Sequence, residues 1–401
     1  MRRSRDDDVR SATHSVDRPV TTPPAVKTRH GASPPSRGTA RGVRVLALVT
    51  DAYGGHGGIA QYNRDLLDAL GASAAVDVVV ALPRLVVGPL EPVPSRVRYD
   101  TRSAGSLLRY AGRAALAAAE RPDVILCAHV NLLPLAAALK SFSGARLVLG
   151  VYGIDVWTPL TRRGMTRALG AVDAVYSISE VTRKRFEAWA PIGHARPYLL
   201  PNAIHLDQYG PGEKSPALLD RYGLRGKRVL MTTGRLAGKE RYKGFDVVMD
   251  ALARLLPEHP DLVYVIVGTG DDRPRLEAYA ASLGVSGHVV FTGFIDEAEK
   301  ADHFRLADTY VMPSEGEGFG FVFLEALACG IPTVGSTTDG GREALRHGQL
   351  GRLVNPSAPA EIDAAILATL ATPRGVPAGL DHFAFPHFAR RAEAMICNVA
   401  R

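Results

Sequence analysis

The strongest constraint on the fold is an alternation that begins at residue 43. Short β-branched or apolar runs end in glycine or polar residues, and a stretch of helical period follows each. "VRVLALVT" (43–50) leads through "DAYGGHGG" to "IAQYNRDLLDAL". "DVILCAHV" (123–130) leads to "LLPLAAALK", "ARLVLGVYG" (145–153) continues the series, and "DAVYSIS" (173–179) precedes "EVTRKRFEAW". Apolar strands without internal alternation, separated by helices, indicate a parallel sheet covered on both faces.

The alternation breaks at "ARPYLLPNAIHLDQYGPGEKSP" (195–216), whose Pro, Gly and Asn read as an interdomain linker. It restarts with "KRVLMTTG" (227–234), "DLVYVIVG" (261–268), "GHVVFTG" (287–293), "DTYVMP" (308–313) and "IPTVGS" (331–336). A chain of 401 residues has room for two ordinary domains. The expectation is an α/β protein with two doubly wound domains in tandem, at 43–205 and 206–384, and a last helix at 385–401. Ligands of such sheets sit beyond the carboxyl ends of the strands, so the site belongs in the cleft between the domains.

The net charge of +7 points at first to acidic partners. Nine Lys/Arg against four Asp fall within residues 1–42, which leaves 39 basic and 37 acidic residues for the remainder. Ser, Thr, Pro and Arg dominate that basic N-terminal tail, which reads as disordered because it has little apolar surface to bury. Its cations lack interleaved aromatics, so a nucleic-acid partner is not expected. Neither an apolar run of spanning length nor a signal-type opening is present. Three scattered cysteines, Cys127, Cys329 and Cys397, form no metal or disulfide spacing and fit a reducing, cytoplasmic compartment.

The segment "PSEGEGFGFVFLEALACGIPTVGS" (313–336) carries the most chemistry. It lies at the carboxyl end of a strand. Gly318 and Gly320 remove side chains where a ligand must approach backbone N–H groups. A helix expected from about Phe319 points its N-terminal donors into the same space. Glu317 precedes that helix, and Glu325 lies two turns inside it, about 10 Å along the axis. Two hydroxyl-binding carboxylates fit this spacing better than a metal site. Taken singly, Glu317 reads as a cap and Glu325 as a solvated charge.

A second cluster, "GRLAGKERYKGFD" (234–246), places Arg235 after a strand and Lys243 at the next helix start. A guanidinium fork and an ammonium converging there suit a diphosphate. Glu240 is placed to pair with one of them, while Lys239 and Arg241 read as solvated. "GGHGGIAQ" (54–61) adds an anion-ready turn at Gly57 and Gly58. "VGTGDDRPRL" (267–276) has Arg273 where a dinucleotide fingerprint needs glycine, so it reads as a strand-to-helix turn, with a place near a nucleotide base left open, and not as an NAD site. Asp155, just past a strand end, can accept a proton or a sugar hydroxyl, or cap a helix. His129 lies at another strand end and reads as structural more readily than as a ligand.

Together these residues resemble glycosyltransferase family 4, the retaining enzymes of GT-B fold. "EGFGFVFLEALACGIPTV" is similar to the family's E-x7-E motif, and "GRLAGKERYKG" to its diphosphate motif. "GGIAQYN", "YGIDVW", "SISEVTRKRF" and "LPNAI" follow in family order. The resemblance implies two Rossmann-like domains, with Arg235 and Lys243 on the donor diphosphate and Glu325 on the ribose. It places Glu317 near the donor sugar, whose hydroxyls meet backbone amides from Gly318 through Phe319 and Gly320 to Phe321. Gly57–Gly58 closes over the phosphates, and the last helix packs back toward the first domain. Tyr152 stands where many relatives carry His, and His205 where many carry Asp.

The activity implied is transfer of a hexosyl group from a nucleotide diphosphate sugar, such as a GDP- or UDP-hexose, to a hydroxyl acceptor. No cofactor or metal is expected, since cations meet the charge of the leaving diphosphate. The acceptor can be a glycan, a lipid-linked molecule or a small molecule; a lipid acceptor would bring peripheral contact with the inner face of a membrane. A nucleotide-sugar epimerase of the same fold and an inactive nucleotide-sugar-binding protein stay open.

Overall fold

A computed structural model of the chain describes residues 41–401; the basic tail, except for Arg41 and Gly42, lies outside the described residues. The first domain is built on seven parallel strands: β1 (Val43–Val49), β2 (Val76–Pro83), β3 (Val97–Tyr99), β4 (Val124–Cys127), β5 (Arg146–Val151), β6 (Ala174–Ser177) and β7 (Arg196–Leu199). Their spatial order is β3-β2-β1-β4-β5-β6-β7. The second is built on six: β8 (Arg228–Thr233), β9 (Leu262–Val267), β10 (Val289–Gly293), β11 (Thr309–Val311), β12 (Thr333–Ser336) and β13 (Arg352–Val354), in the order β10-β9-β8-β11-β12-β13. β4 and β9 are buried along their whole length, as their unbroken apolar runs require when helices cover both faces.

The expected linker at 195–216 is corrected at its start. Arg196–Leu199 pairs with β6 as the edge strand β7. Its residues are largely exposed and include Pro197, which an edge strand tolerates because it lacks only an outward donor. The linker proper therefore begins at Leu200. β2, β3 and β13 widen the sheets beyond the strands read from the sequence.

Two crossings join the domains, and they lie side by side. Ile204 N–H donates to Phe383 O at 2.8 Å, and Phe385 N–H donates to Ile204 O at 3.1 Å. The last helix, Phe385–Ala400, then lies along α1 (Gly58–Ala72) of the first domain. Phe388 meets Tyr62 edge-on at 5.5 Å, and Ser73 Oγ donates to Glu393 at 2.7 Å. His205 braces this crossing: its Nε2 sits 2.8 Å from Asp65 of α1, and its ring stacks on Phe385 at 4.7 Å.

The domains also touch directly. A Cβ on Gly318 would stand 2.1 Å from Tyr152 O and 3.1 Å from Gly153 Cα, so two backbones from opposite domains cross there. Nearby, Glu343 of the second domain accepts from Glu180 N–H at 2.7 Å and Val181 N–H at 2.8 Å. These are the first donors of the helix Glu180–Glu187, and Ser179 Oγ takes the third, from Thr182 N–H at 3.1 Å. The helix is thus capped at two donors by the facing domain and at one by the residue that precedes it.

Candidate active site

Both sheets reverse their strand order beside their central strand, between β1 and β4 and between β8 and β11. Such switch points open a crevice at the strand ends. The loops after these four strands, with the helices that two of them lead into, supply most of the lining of a cleft of about 610 Å³. Asp51 and His56 follow β1, His129 follows β4, Arg235, Glu240 and Lys243 follow β8, and Glu317 follows β11.

Two helices begin at this cleft without a side-chain cap, α1 after Gly57 and Phe321–Ala328 after Gly320. Both glycines have positive φ, 90° and 85°, which suits a residue without Cβ. Gly57, Gly58 and Phe321 line the cleft, so the first N–H donors of both helices border it. At Gly57 and Gly58 a Cβ would meet nothing within 4 Å, so that turn leaves room for a ligand.

The cations sit opposite. Lys243 Nζ donates to Glu317 at 2.6 Å and stands 3.8 Å from Glu240. Arg235 is ion-paired to Glu240. Burial pulls the Lys243 ammonium down, but Glu317 and its other neighbours leave it raised and charged. Gly268 and Gly270 prop this loop: a Cβ on either would strike Gly234 O or Leu236 O. Those glycines serve backbone contact within the domain, as the turn from a strand into a helix requires.

Asp339 organises the opposite side of the loop that carries Glu317. It accepts from Ser314 Oγ and Glu317 N–H, both at 2.8 Å, and from Gly341 N–H at 2.9 Å. Burial pushes its carboxyl up to about 6. Glu325 is fully buried at the end of the cleft. Its Oε1 accepts from Lys300 Nζ at 2.6 Å and Tyr209 OH at 3.0 Å, and Oε2 has no partner among the described residues. Burial raises the Glu325 carboxyl, and Lys300 pulls against it.

The cleft therefore brings together Arg235, Lys243, Glu317, Glu325, Phe321, Gly57 and Gly58. Four other expected residues stand outside its lining. The helix expected near Phe319 starts at Phe321, and the Phe319 ring is buried edge-on against Phe383 at 5.5 Å. Gly318 faces the first domain's backbone, and the Cβ position of Gly320 faces the Phe323 ring. Asp155 lies in the turn after β5, where burial pushes its carboxyl up to about 6. The Tyr152 hydroxyl also turns inward, to Tyr176 at 2.7 Å and Asn63 at 3.1 Å.

His129 does reach the cleft. Its Nδ1 accepts from Asn131 N–H at 3.1 Å, which assigns the proton to Nε2. Burial holds its pKa down, so the ring is neutral at pH 7 and keeps an N–H donor. Sequence reasoning missed Lys300, Glu297 and Tyr209. "DEAEKADHF" looks like a solvated helix start, and no local signal shows that it meets Glu325.

Comparison with known proteins places this geometry in context. The family description Glycosyltransferase Family 4 matches residues 56–208, and Glycosyl transferases group 1 matches residues 221–375. A GDP-mannose-dependent alpha-(1-6)-phosphatidylinositol monomannoside mannosyltransferase of Mycolicibacterium smegmatis is 34% identical over 255 residues, 60% of this chain and 65% of the relative. A D-inositol 3-phosphate glycosyltransferase of Geodermatophilus obscurus is 37% identical over 193 residues, 46% of this chain and 42% of the relative. The matches thus span about two fifths to two thirds of these relatives. Among solved structures, Anabaena HepE in complex with UDP and glucose superposes with a TM-score of 0.67 at 21% identity, covering 89% of this chain and all of that one. The fold is GT-B.

Proposed function

Since the chain belongs to glycosyltransferase family 4, we propose that it moves a hexosyl group from a nucleotide diphosphate sugar to an acceptor hydroxyl, with retention of anomeric configuration. One observation carries this reading. Arg235 and Lys243 face the uncapped start of α1 across a single cleft, and both cations are held by carboxylates that a diphosphate can replace.

Donor binding exchanges partners: the phosphates take Arg235 and Lys243 from Glu240 and Glu317. Glu317, freed of its ammonium, faces the sugar hydroxyls, and the Glu325 carboxylate takes the ribose. As the glycosidic bond breaks, negative charge grows on the diphosphate, where fixed cations and helix N–H donors stabilise it most. The anomeric carbon is oxocarbenium-like at that point. The departing phosphate accepts the acceptor's proton, so no separate protein base is required. The neutral His129 donates from Nε2 to the sugar, a task that the inward-turned Tyr152 does not perform. Arg235 and Lys243 supply the charge that a metal would otherwise bring, so transfer should survive chelator.

The names of the relatives suggest a GDP-hexose donor and an inositol-type hydroxyl on a phospholipid. The acceptor-side domain has a face that suits such a carrier. Leu85 (51% exposed), Val87 (72%) and Leu90 (49%) follow β2, and Leu107 (70%) and Leu108 (87%) begin α2 (Leu107–Ala119). Arg102 and Arg109 are exposed beside them. The loop presses on Gly54, in the turn that leads to the cleft. An apolar edge with cations matches an anionic bilayer surface. No helix among the described residues is long and apolar enough to cross a membrane.

The test is a thermal-shift screen of GDP, UDP and their hexose conjugates, repeated with Arg235→Ala and Lys243→Ala. A ligand of the native state must raise its apparent stability. Selective stabilisation by one conjugate, lost in both variants while their unliganded Tm is kept, is expected. No shift with any of them, from folded protein, refutes the reading.

A further inference from the structure

We propose that Tyr209, a linker residue, is a positioning residue for the donor site: its hydroxyl holds the Glu325 carboxylate in place while the ribose takes over from Lys300. This inference rests on the reading of Glu325 as the ribose ligand and adds how that ligand is presented.

Glu325 is sealed from water, yet it belongs to the cleft wall. Both of its donors converge on one oxygen, Oε1. A vicinal diol needs both carboxylate oxygens, so the ammonium that covers the group must give way. Lys300 has somewhere to go: its Nζ already lies 3.2 Å from Glu297 Oε1, and Glu297 also borders the cleft. The exchange therefore moves one cation from Glu325 to Glu297 and leaves Glu325 with neutral donors alone, the ribose hydroxyls and the Tyr209 hydroxyl.

Once Lys300 withdraws, Glu325 keeps a single protein donor, the Tyr209 hydroxyl at 3.0 Å. That hydroxyl is itself fixed. The Tyr209 ring is 8% exposed and stands edge-on to Phe304 at 6.4 Å. It also reaches Glu297 at 3.3 Å, the carboxylate that receives Lys300. Because Tyr209 sits on the segment joining the two sheets, the carboxylate is tied to the position of the linker as well as to its own helix.

The experiment is a comparison of GDP with 2′,3′-dideoxy-GDP by calorimetry, on wild type and Tyr209→Phe, with the UDP pair in parallel. Phenylalanine keeps the buried ring and removes one oxygen, so folding is retained and the Tm serves as its check. Wild type should prefer the ribose form by roughly 10- to 100-fold, the range of a hydrogen-bonded pair on a charged group. In Tyr209→Phe that ratio should fall by about fivefold or more, while affinity for the dideoxy form stays as in wild type. A purely structural role would weaken both ligands equally and leave the ratio intact, which overturns the proposal. Binding of GDP or UDP with no preference for the hydroxyls also overturns it. Absence of any nucleotide binding by folded wild type instead overturns the proposed function, and this inference with it.

Discussion

Replacing Glu343 by alanine should release the first turn of the helix Glu180–Glu187 without unfolding it. Two backbone donors, Glu180 N–H and Val181 N–H, lose a carboxylate at 2.7 and 2.8 Å. Charge-assisted hydrogen bonds contribute about 1.5–3 kcal/mol each, and an anion at a helix N-terminus about 0.3–1 kcal/mol more. Both donors are only part-buried, so water replaces much of the loss. A net cost of about 2 kcal/mol follows, or about 30-fold in an opening equilibrium. Amide hydrogen exchange reads this residue by residue. Glu180 and Val181 should exchange about 30-fold faster, while Thr182, capped by Ser179 of its own chain, keeps its rate. The contact spans the two domains, so small-angle scattering should also show a larger mean radius. Unchanged exchange at the first two amides would refute the capping argument. Equal acceleration at Thr182 would show that the helix is lost as a whole.

Two further outcomes follow from the same geometry. Asp155 carries a folded pKa of about 6 against 3.8 for the free side chain, so its contribution to stability is full below pH 3.8 and lost as pH rises through 6. Asp155→Asn should remove about 2–3 kcal/mol of that loss, with a denaturation midpoint that is higher at pH 7 and flatter between pH 4 and 6; equal midpoints at pH 7 would contradict it. Gly318→Ala puts a methyl 2.1 Å from Tyr152 O, so the domains must part. Transfer should drop about 100-fold or more, as a displacement of about 1 Å near reacting groups can cause, with nucleotide affinity nearly kept; wild-type turnover would mean that the crossing is not needed.

Much of this architecture is legible in the residues themselves. β4 and β9 are unbroken apolar runs, β1, β5 and β8 are apolar apart from an arginine near the start and the threonines that end β8, and the glycines that follow β1 and β11 announce loops that must come close to something. Arg235 and Lys243 stand where a strand end and a helix start put them. What stays hidden depends on partners far along the chain. Tyr209 meets Glu325 across 116 positions, and nothing near either marks the meeting. Gly318 reads as room for a ligand, and only the arrival of Tyr152 shows that a second backbone fills that space. Phe319 reads as a helical residue of the site, but the positive φ of Gly320 delays the helix and sends the ring to Phe383. β3 and β13 are three residues long, too short to show a period. Asp155 occupies the same kind of strand end as Arg235, and its burial is a property of the turn, not of the position.

The pairing of Ile204 with Ala384 gives the second domain an entrance and an exit at one spot. Topologically it is an insertion: the chain leaves the first body after β7, completes a self-contained sheet, and returns to finish that body with its last helix. A segment with adjoining ends can be exchanged as a cassette. Grafting the counterpart of residues 205–383 from a homologue that uses a different sugar nucleotide should change the donor and leave the acceptor untouched. The seams at Ile204 and Ala384 make that choice of junction a matter of two peptide bonds, and they offer a physical reason why donor and acceptor preferences in such chains can evolve apart.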